Sequence, residues 1–193
     1  IAIGLGLMLL ALIQLGAASA ALRHSPTVQT ILSALGSEPV LAVLVGAIVT
    51  WLAHSSLAMV LFVMALASGG SISPTLAIAL VLGVNIGGAV APFIALSGAP
   101  VAARRVPFGN FAARTAVGLL AIPFIRWLPD HLSMLGSDLG RLVLNFHTAF
   151  NLLVAVIFLP LLEPLATLVA RVLPEPPQAR DDKLPRHLDP TIL

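Results

Sequence analysis

Two polar interruptions lie inside one long apolar stretch of this chain. The first is His54-Ser55-Ser56, and the second is the glycine-rich segment 83–88 around Asn85. The stretch from Pro39 to Ala103 contains no Asp, Glu, Lys or Arg. Hydroxyl, amide and backbone N–H groups can bind an anion without a charged side chain, and a helix N-terminus adds a positive dipole end. The pattern therefore indicates a binding site rather than covalent chemistry.

Composition places these residues in lipid. The 193-residue chain is 59% hydrophobic and 9% charged, and its mean hydropathy is +1.05. A soluble domain does not contain so long a stretch without charge. The formal net charge is only +2, so the high isoelectric point reflects scarce acids and does not predict a nucleic-acid partner. The chain has no cysteine, which excludes disulfides and thiolate chemistry.

The spacing of the apolar runs predicts a polytopic all-α bundle. We predict a transmembrane domain over 1–173 and a polar cytoplasmic tail over 174–193. Two half-length helices around a polar tip predict a re-entrant hairpin over 40–67, with one steeply tilted helix as the alternative. Glycines at mid-membrane depth predict a discontinuous helix over 74–96. The remaining predicted spans are 1–22, 108–128 with a kink at Pro123, and 139–172 with Pro160 and Pro164 inside it.

Basic residues in short loops predict the orientation. Arg104 and Arg105 fall on the same side as the basic tail, whereas the arginines of the other side are mixed with acids. The positive-inside rule makes the first side cytoplasmic, so both ends are predicted to lie inside a bacterial-type inner (plasma) membrane.

Three ordered motifs resemble the sodium/phosphate cotransporter family. That family has a glycine-and-threonine lead-in to a Gln-Ser-Ser-Ser tip, then a Gly-Ala-Asn-Ile-Gly-Thr-Thr break. The similar segments here are the lead-in Gly46-Ala47-Ile48-Val49-Thr50, the tip His54-Ser55-Ser56-Leu57 and the break Gly83-Val84-Asn85-Ile86-Gly87-Gly88-Ala89. A later family motif, with an Asn-Phe-His and a Phe-Asn pair, is similar to Asn145-Phe146-His147-Thr148-Ala149-Phe150-Asn151. The resemblance covers roughly residues 3–173.

The resemblance implies secondary transport of inorganic phosphate, or a related anion, coupled to sodium. It also implies a site between two inverted repeats, so this chain, which begins at Ile1, is expected to supply one repeat beside a second repeat or an equivalent chain. No cofactor is implied apart from sodium as the coupling ion. The predicted substrate-binding residues are His54, Ser55, Ser56, Asn85, Gly87 and Gly88. The predicted sodium ligands, all neutral, are Thr50, Ser55 and Asn85.

The chain departs from the family pattern at the two interruptions. His54 replaces the glutamine, Leu57 replaces the third serine, and Gly88-Ala89 replace the two threonines. Either this is a degenerate repeat with most ligands elsewhere, or the transported ion has changed. The imidazole of His54 also predicts that anion binding is linked to proton binding.

Each polar residue has a structural alternative. The serines could bond back to helix carbonyls, the imidazole of His54 could satisfy the tip backbone, and the glycines could let helices approach closely. His147 and Asn151, one turn apart, favour interhelical hydrogen bonds, and Arg114 must reach the interface or face protein.

Two other functional classes stay open. One is a membrane assembly subunit that transports nothing. The other is a membrane enzyme with His54 as base and Ser55 as nucleophile, which is disfavoured because adjacent side chains rarely face each other and the segment 39–103 supplies no orienting acid. We expect a transporter and no enzyme.

Overall fold

The computed structural model describes residues 2–136 and 138–175, and this part of the chain is helical without strands. The longer helices are α1 (Ala2–Arg23), α5 (Pro74–Ala95), α6 (Val101–Ala121) and α8 (Leu139–Phe158). The shorter helices are α2 (Pro26–Ser37), α3 (Pro39–Ala53), α4 (Ser56–Ser68), α7 (Leu128–Leu132) and α9 (Leu162–Val172). The predicted all-α architecture is confirmed.

In the described part of the chain, three helices, α1, α5 and α8, are long and apolar enough to cross a membrane. At about 1.5 Å per residue, the 22 residues of α5 span about 33 Å, close to the thickness of a hydrocarbon core. The α6 helix is comparably long but carries Arg104, Arg105 and Arg114. These lengths agree with a polytopic membrane protein.

Local sequence signals set where the helices begin. Pro74 occupies the first turn of α5, and the Ser73 hydroxyl accepts a hydrogen bond from the Leu76 N–H at 3.2 Å. In α8 the Asp138 carboxylate accepts from the Arg141 N–H at 2.7 Å. These caps satisfy backbone donors that a helix start leaves free.

The α5 helix forms the centre of the bundle. It contacts α3, α4, α6 and α8, and the side chains of Ile78, Val81 and Leu82 are fully buried. The polar Asn85 is buried to the same degree. Asn85, the polar residue of the second interruption, is therefore enclosed by protein at the middle of α5.

The predicted hairpin corresponds to two short helices, α3 and α4. The α3 helix ends at His54, whose φ of 53° is left-handed, and Ser55 caps the start of α4. The 15 and 13 residues of these helices span only about 22 and 20 Å. Each is therefore too short to cross a membrane alone.

The α3 and α5 helices run parallel in very close contact. A Cβ added at Gly83 would collide with the Val43 carbonyl, and one added at Gly87 would collide with the Ala47 carbonyl. From the first contact to the second, the position rises by four residues in both helices, so α3 and α5 run in the same direction. Small residues permit this backbone approach.

The α4 helix returns toward the start of α5. Its end lies near α1 and α8, because the Arg23 guanidinium donates to the Gly69 carbonyl at 3.2 Å and a Cβ at Gly140 would meet the Ser68 hydroxyl. The turn between α3 and α4 points the other way, toward Gly88, which lies against Ser56. The hairpin thus opens at one end of the bundle, and its turn lies beside the second half of α5.

The predicted discontinuity over 74–96 is wrong, because α5 is continuous from Pro74 to Ala95. The Asn85 amide donates to the Val81 carbonyl at 2.9 Å, one turn earlier, and so stays within the helical pattern. The glycines at 83 and 87 serve contact with α3 instead of unwinding the backbone. This is the packing alternative that the sequence left open.

Other boundaries also differ from the prediction. The span predicted over 108–128 is α6, which begins at Val101 and ends at Ala121, so Pro123 lies in a 3₁₀ turn after the helix instead of kinking it. The span predicted over 139–172 divides into α8 and α9, with Pro160 in the intervening turn. Most of the predicted tail, from 176 onward, lies outside the described residues.

Candidate anion-binding site

A partly buried polar cluster around Arg114 joins α5, α6 and α8. Arg114 is near the middle of α6, and its Nε donates to Asn110 Oδ1 at 3.2 Å. Its Nη2 donates to Asn151 Oδ1 of α8 at 2.8 Å, and its Nη1 lies 3.4 Å from Asn85 Oδ1 of α5. Three amide oxygens from three helices therefore hold one guanidinium.

The amide groups are themselves fixed by hydrogen bonds. Asn151 Nδ2 donates to Asn85 Oδ1 at 3.1 Å and to the His147 carbonyl at 2.8 Å. Asn85 Nδ2 donates to the Val81 carbonyl. These bonds orient the amide oxygens of Asn85 and Asn151 toward Arg114.

The charge of Arg114 has no carboxylate partner among residues 2–136 and 138–175. The ion pair found there joins Arg105 to Glu175 at 3.2 Å, at the start of α6. A guanidinium has five N–H donors, and one each from Nε, Nη1 and Nη2 is used by the amides, which leaves about two for a ligand. An uncompensated charge inside a membrane protein is costly and therefore indicates function.

A cavity of about 140 Å³ adjoins this guanidinium. Its lining is polar and comes from α4, α5, α6 and α8: Ser56, Asn85, Gly88, Asn110, Arg114, His147 and Asn151. Ser56 is the first residue of α4, so the positive end of that helix dipole also faces the cavity. Fixed cation, hydroxyl and helix N-terminus together can bind an anion.

The structure brings three of the predicted substrate residues, Ser56, Asn85 and Gly88, into this cavity. Gly88 leaves space for the tip, since a Cβ there would stand 3.0 Å from Ser56 Cβ. Gly87, in contrast, faces α3. The binding roles of the residues in the cavity stay predictions.

The other predicted residues lie at the hairpin tip. His54 is exposed, and the Ser55 hydroxyl accepts from the Ala58 N–H at 3.2 Å as a helix cap. Thr50 is buried and donates to the Gly46 carbonyl at 2.7 Å. In the described part of the chain, no hydrogen bond joins the side chains of Thr50, Ser55 and Asn85, the predicted sodium ligands.

The predicted site left out Arg114, Asn110, His147 and Asn151. From the sequence, we expected Arg114 either to reach the interface or to face protein, and the structure shows that it faces protein. Asn151 makes the interhelical bonds that the sequence favoured. The signal that could have identified the site is an arginine in the middle of a span, one turn after an asparagine.

The fold and the site define the class of this chain as a helical membrane protein with a partly buried arginine beside the N-terminus of a short helix. The comparisons give the family: the Na+/Pi-cotransporter family model matches residues 7–146, and the chain belongs to that family. The resemblance found in the three motifs is confirmed. Membership in a cotransporter family also confirms the expectation that the chain is not an enzyme.

Curated relatives match all or part of the chain. "Putative inorganic phosphate export protein YjbB" of Escherichia coli K12 is 33% identical over 193 residues, covering 100% of this chain and 36% of the relative. The Salmonella typhimurium protein of that name gives the same figures. "Uncharacterized protein YqeW" of Bacillus subtilis is 27% identical over 133 residues, or 69% of this chain and 43% of the relative. The chain thus spans about a third of the length of the YjbB relatives. No solved structure matches significantly.

Proposed function

We propose that this chain supplies one repeat of a membrane transporter of inorganic phosphate, with the cavity beside Arg114 as its anion site. The observation that carries the proposal is a guanidinium in mid-helix that is held by amide oxygens and has no carboxylate partner in the described part of the chain. The family description and the YjbB name, which refers to phosphate export, support phosphate as the anion.

The chemistry of the cavity suits a phosphate oxyanion. The two N–H groups that Arg114 retains can donate to two oxygens of one anion, in the bidentate geometry that arginine favours. Ser56 adds a hydroxyl and the N-terminus of α4 adds backbone donors and a positive dipole end. Gly88 allows the tip to approach α5 closely enough to contribute.

Sodium coupling and transport direction are further parts of the proposal. The family description supports sodium as the coupling ion, and the name of the YjbB relatives supports movement of phosphate out of the cell. Thr50, Ser55 and Asn85 remain the proposed source of neutral sodium ligands, after rearrangement of their present local bonds. Sodium coupling and the direction of phosphate transport can both be tested by imposing sodium gradients across a vesicle membrane.

The topology forms part of the same proposal. Helices α3 and α4 are short and open at one end of the bundle, which supports a hairpin that enters and leaves the membrane on one side. Arg105 donates to the Leu173 carbonyl at 3.2 and 3.1 Å, so the start of α6 and the end of α9 lie at one end of the bundle. That agrees with cytoplasmic placement of both.

A second inverted repeat, or an equivalent chain, is proposed to complete the site. Helices α6, α8 and α9 line an open apolar groove of about 960 Å³, and Asn110 lines both this groove and the polar cavity. A charged substrate site cannot open directly onto lipid, because the membrane interior solvates charge poorly. Apolar surface next to the polar cavity therefore suits a covering protein segment.

The test is phosphate flux by the full-length protein in lipid vesicles, with sodium gradients imposed in either direction. Arg114→Gln should abolish phosphate flux, whereas Arg126→Gln, which removes an exposed arginine, should transport like the parent. Flux in both variants at the parental rate would make the polar cluster structural and favour the assembly subunit.

A further inference from the structure

The imidazole of His147 has unused hydrogen-bonding capacity inside the anion cavity. Its Nδ1 is buried and has no hydrogen-bond partner among the described residues. Its Nε2 lies 3.4 Å from Asn151 Nδ2, but the hydrogens of that amide already reach Asn85 Oδ1 and the His147 carbonyl at shorter distances. The ring can therefore accept a proton without breaking a strong bond.

The charges around His147 are few. The α8 helix packs against α4, α5, α6 and α7. Helices α4 and α5 contain no ionisable side chain, and α6 contributes Arg114 to the cavity. The ionisable residues of α7, Asp130 and His131, are exposed, and Arg141 lies in the first turn of α8. Within the described cavity lining, Arg114 is thus the charged group that His147 meets.

This arrangement couples a proton to an anion. A proton on His147 would add a second positive charge beside Arg114, which is unfavourable while the cavity holds no anion. A bound anion compensates both charges, so each ligand strengthens the binding of the other. We propose that His147 is a proton-binding site of the anion cavity, and that the anion binds together with a proton on this side chain.

The proposal rests on the proposed function, because it requires an anion beside Arg114. It also differs from the expectation at His54, which is exposed at the hairpin tip and does not line the cavity. His24, an exposed imidazole that follows α1 and has no binding role, therefore provides the matched control. Glutamine is a suitable replacement at both positions because it keeps hydrogen-bonding groups but does not titrate.

The experiment is calorimetric titration of the full-length protein with inorganic phosphate, in two buffers of different protonation enthalpy, across about pH 5.5–7.5. Parent and His24→Gln should take up as much as about one proton more per bound phosphate than His147→Gln. The affinity of the parent relative to His147→Gln should rise as pH falls, by at most about tenfold per pH unit for one linked proton. Titration of phosphate itself is common to all three proteins and cancels in this ratio.

The outcomes separate the two proposals. Phosphate binding by parent and His147→Gln with equal proton uptake and parallel pH profiles overturns the proton site and leaves the anion site intact. No phosphate binding by the parent rejects the proposed function itself. If His147→Gln does not fold, the parent protein alone decides the question. The proton site is then overturned if the parent takes up no more protons than the titration of phosphate itself accounts for.

Discussion

The two faces of α5 perform different tasks within one turn of each other. Gly83 and Gly87 face α3, where backbone meets backbone without side chains between them. Asn85 and Gly88 face the cavity, where an amide helps to hold Arg114 and a missing side chain leaves room for Ser56. The α3 face stabilises the fold through close backbone contact. The cavity face leaves a polar space unfilled, although filling it with packed side chains would add stability.

The difference shows that one glycine-rich segment can serve two physical purposes. Glycines on the α3 face are required because any Cβ would displace the opposing backbone. The glycine on the cavity face instead leaves room for the side chain of Ser56, which can shift by a few tenths of an ångström. Substitutions on the two faces should therefore separate folding from binding.

The largest effect is expected at Arg114. Arg114→Gln removes the cation and about two charge-assisted hydrogen bonds to the anion, worth about 3 kcal/mol or more together, so phosphate affinity should fall roughly 100-fold or more. Equilibrium binding of phosphate to purified protein measures this. Arg126→Gln is the charge-matched control, and equal loss in both variants would indicate a general effect of net charge.

The next largest effect is expected on the α3 face. Gly87→Ala forces a Cβ against the Ala47 carbonyl, and such overpacking typically costs about 1–3 kcal/mol, so the unfolding temperature in detergent should drop. Gly16→Ala in α1, where nothing lies within 4 Å of the added Cβ, should leave the unfolding temperature unchanged or higher. Equal unfolding temperatures for Gly87→Ala and the parent would contradict the close contact of α3 and α5.

The two tip serines should respond differently. Ser56→Ala removes a cavity hydroxyl and should lower phosphate affinity about fivefold, for about 1 kcal/mol of hydrogen bonding. Ser55→Ala removes the cap of α4 and should cost about 1 kcal/mol of stability. Binding and unfolding measured on both variants check the assignment, which fails if Ser55→Ala reduces affinity more than Ser56→Ala does.

The smallest effect is expected at Gly88. A Cβ there meets Ser56 Cβ at 3.0 Å and Oγ at 3.4 Å, so the serine has to shift by a few tenths of an ångström. We expect phosphate affinity to fall roughly threefold, or about 0.7 kcal/mol, with little change in unfolding temperature. Gly87→Ala, one residue away, supplies the contrast. A large loss of stability in Gly88→Ala would mean that both faces are packing surfaces.

The sequence predicted the helical class and the two short helices on either side of the polar turn at 54–55, because apolar run lengths and caps are local properties. It failed over 83–88, since glycines that permit helix contact and glycines that break a helix have the same composition. Only the position of α3 distinguishes them. The sequence also did not predict the contacts of Arg114 and Asn151 with Asn85. These residues are far apart in the chain, and no local pattern specifies that α6 and α8 pack with them beside Asn85.

The short length of α3 and α4 has a consequence for how the protein is made. Segments of 15 and 13 residues do not span a bilayer and are weak signals for insertion as individual helices. The parallel glycine face of α5, which receives α3, is synthesised after both of them. We therefore expect α3 and α4 to remain at the membrane surface until α5 has inserted, and then to insert with α3 against the glycine face of α5. The proposed anion cavity would then be completed late in biogenesis.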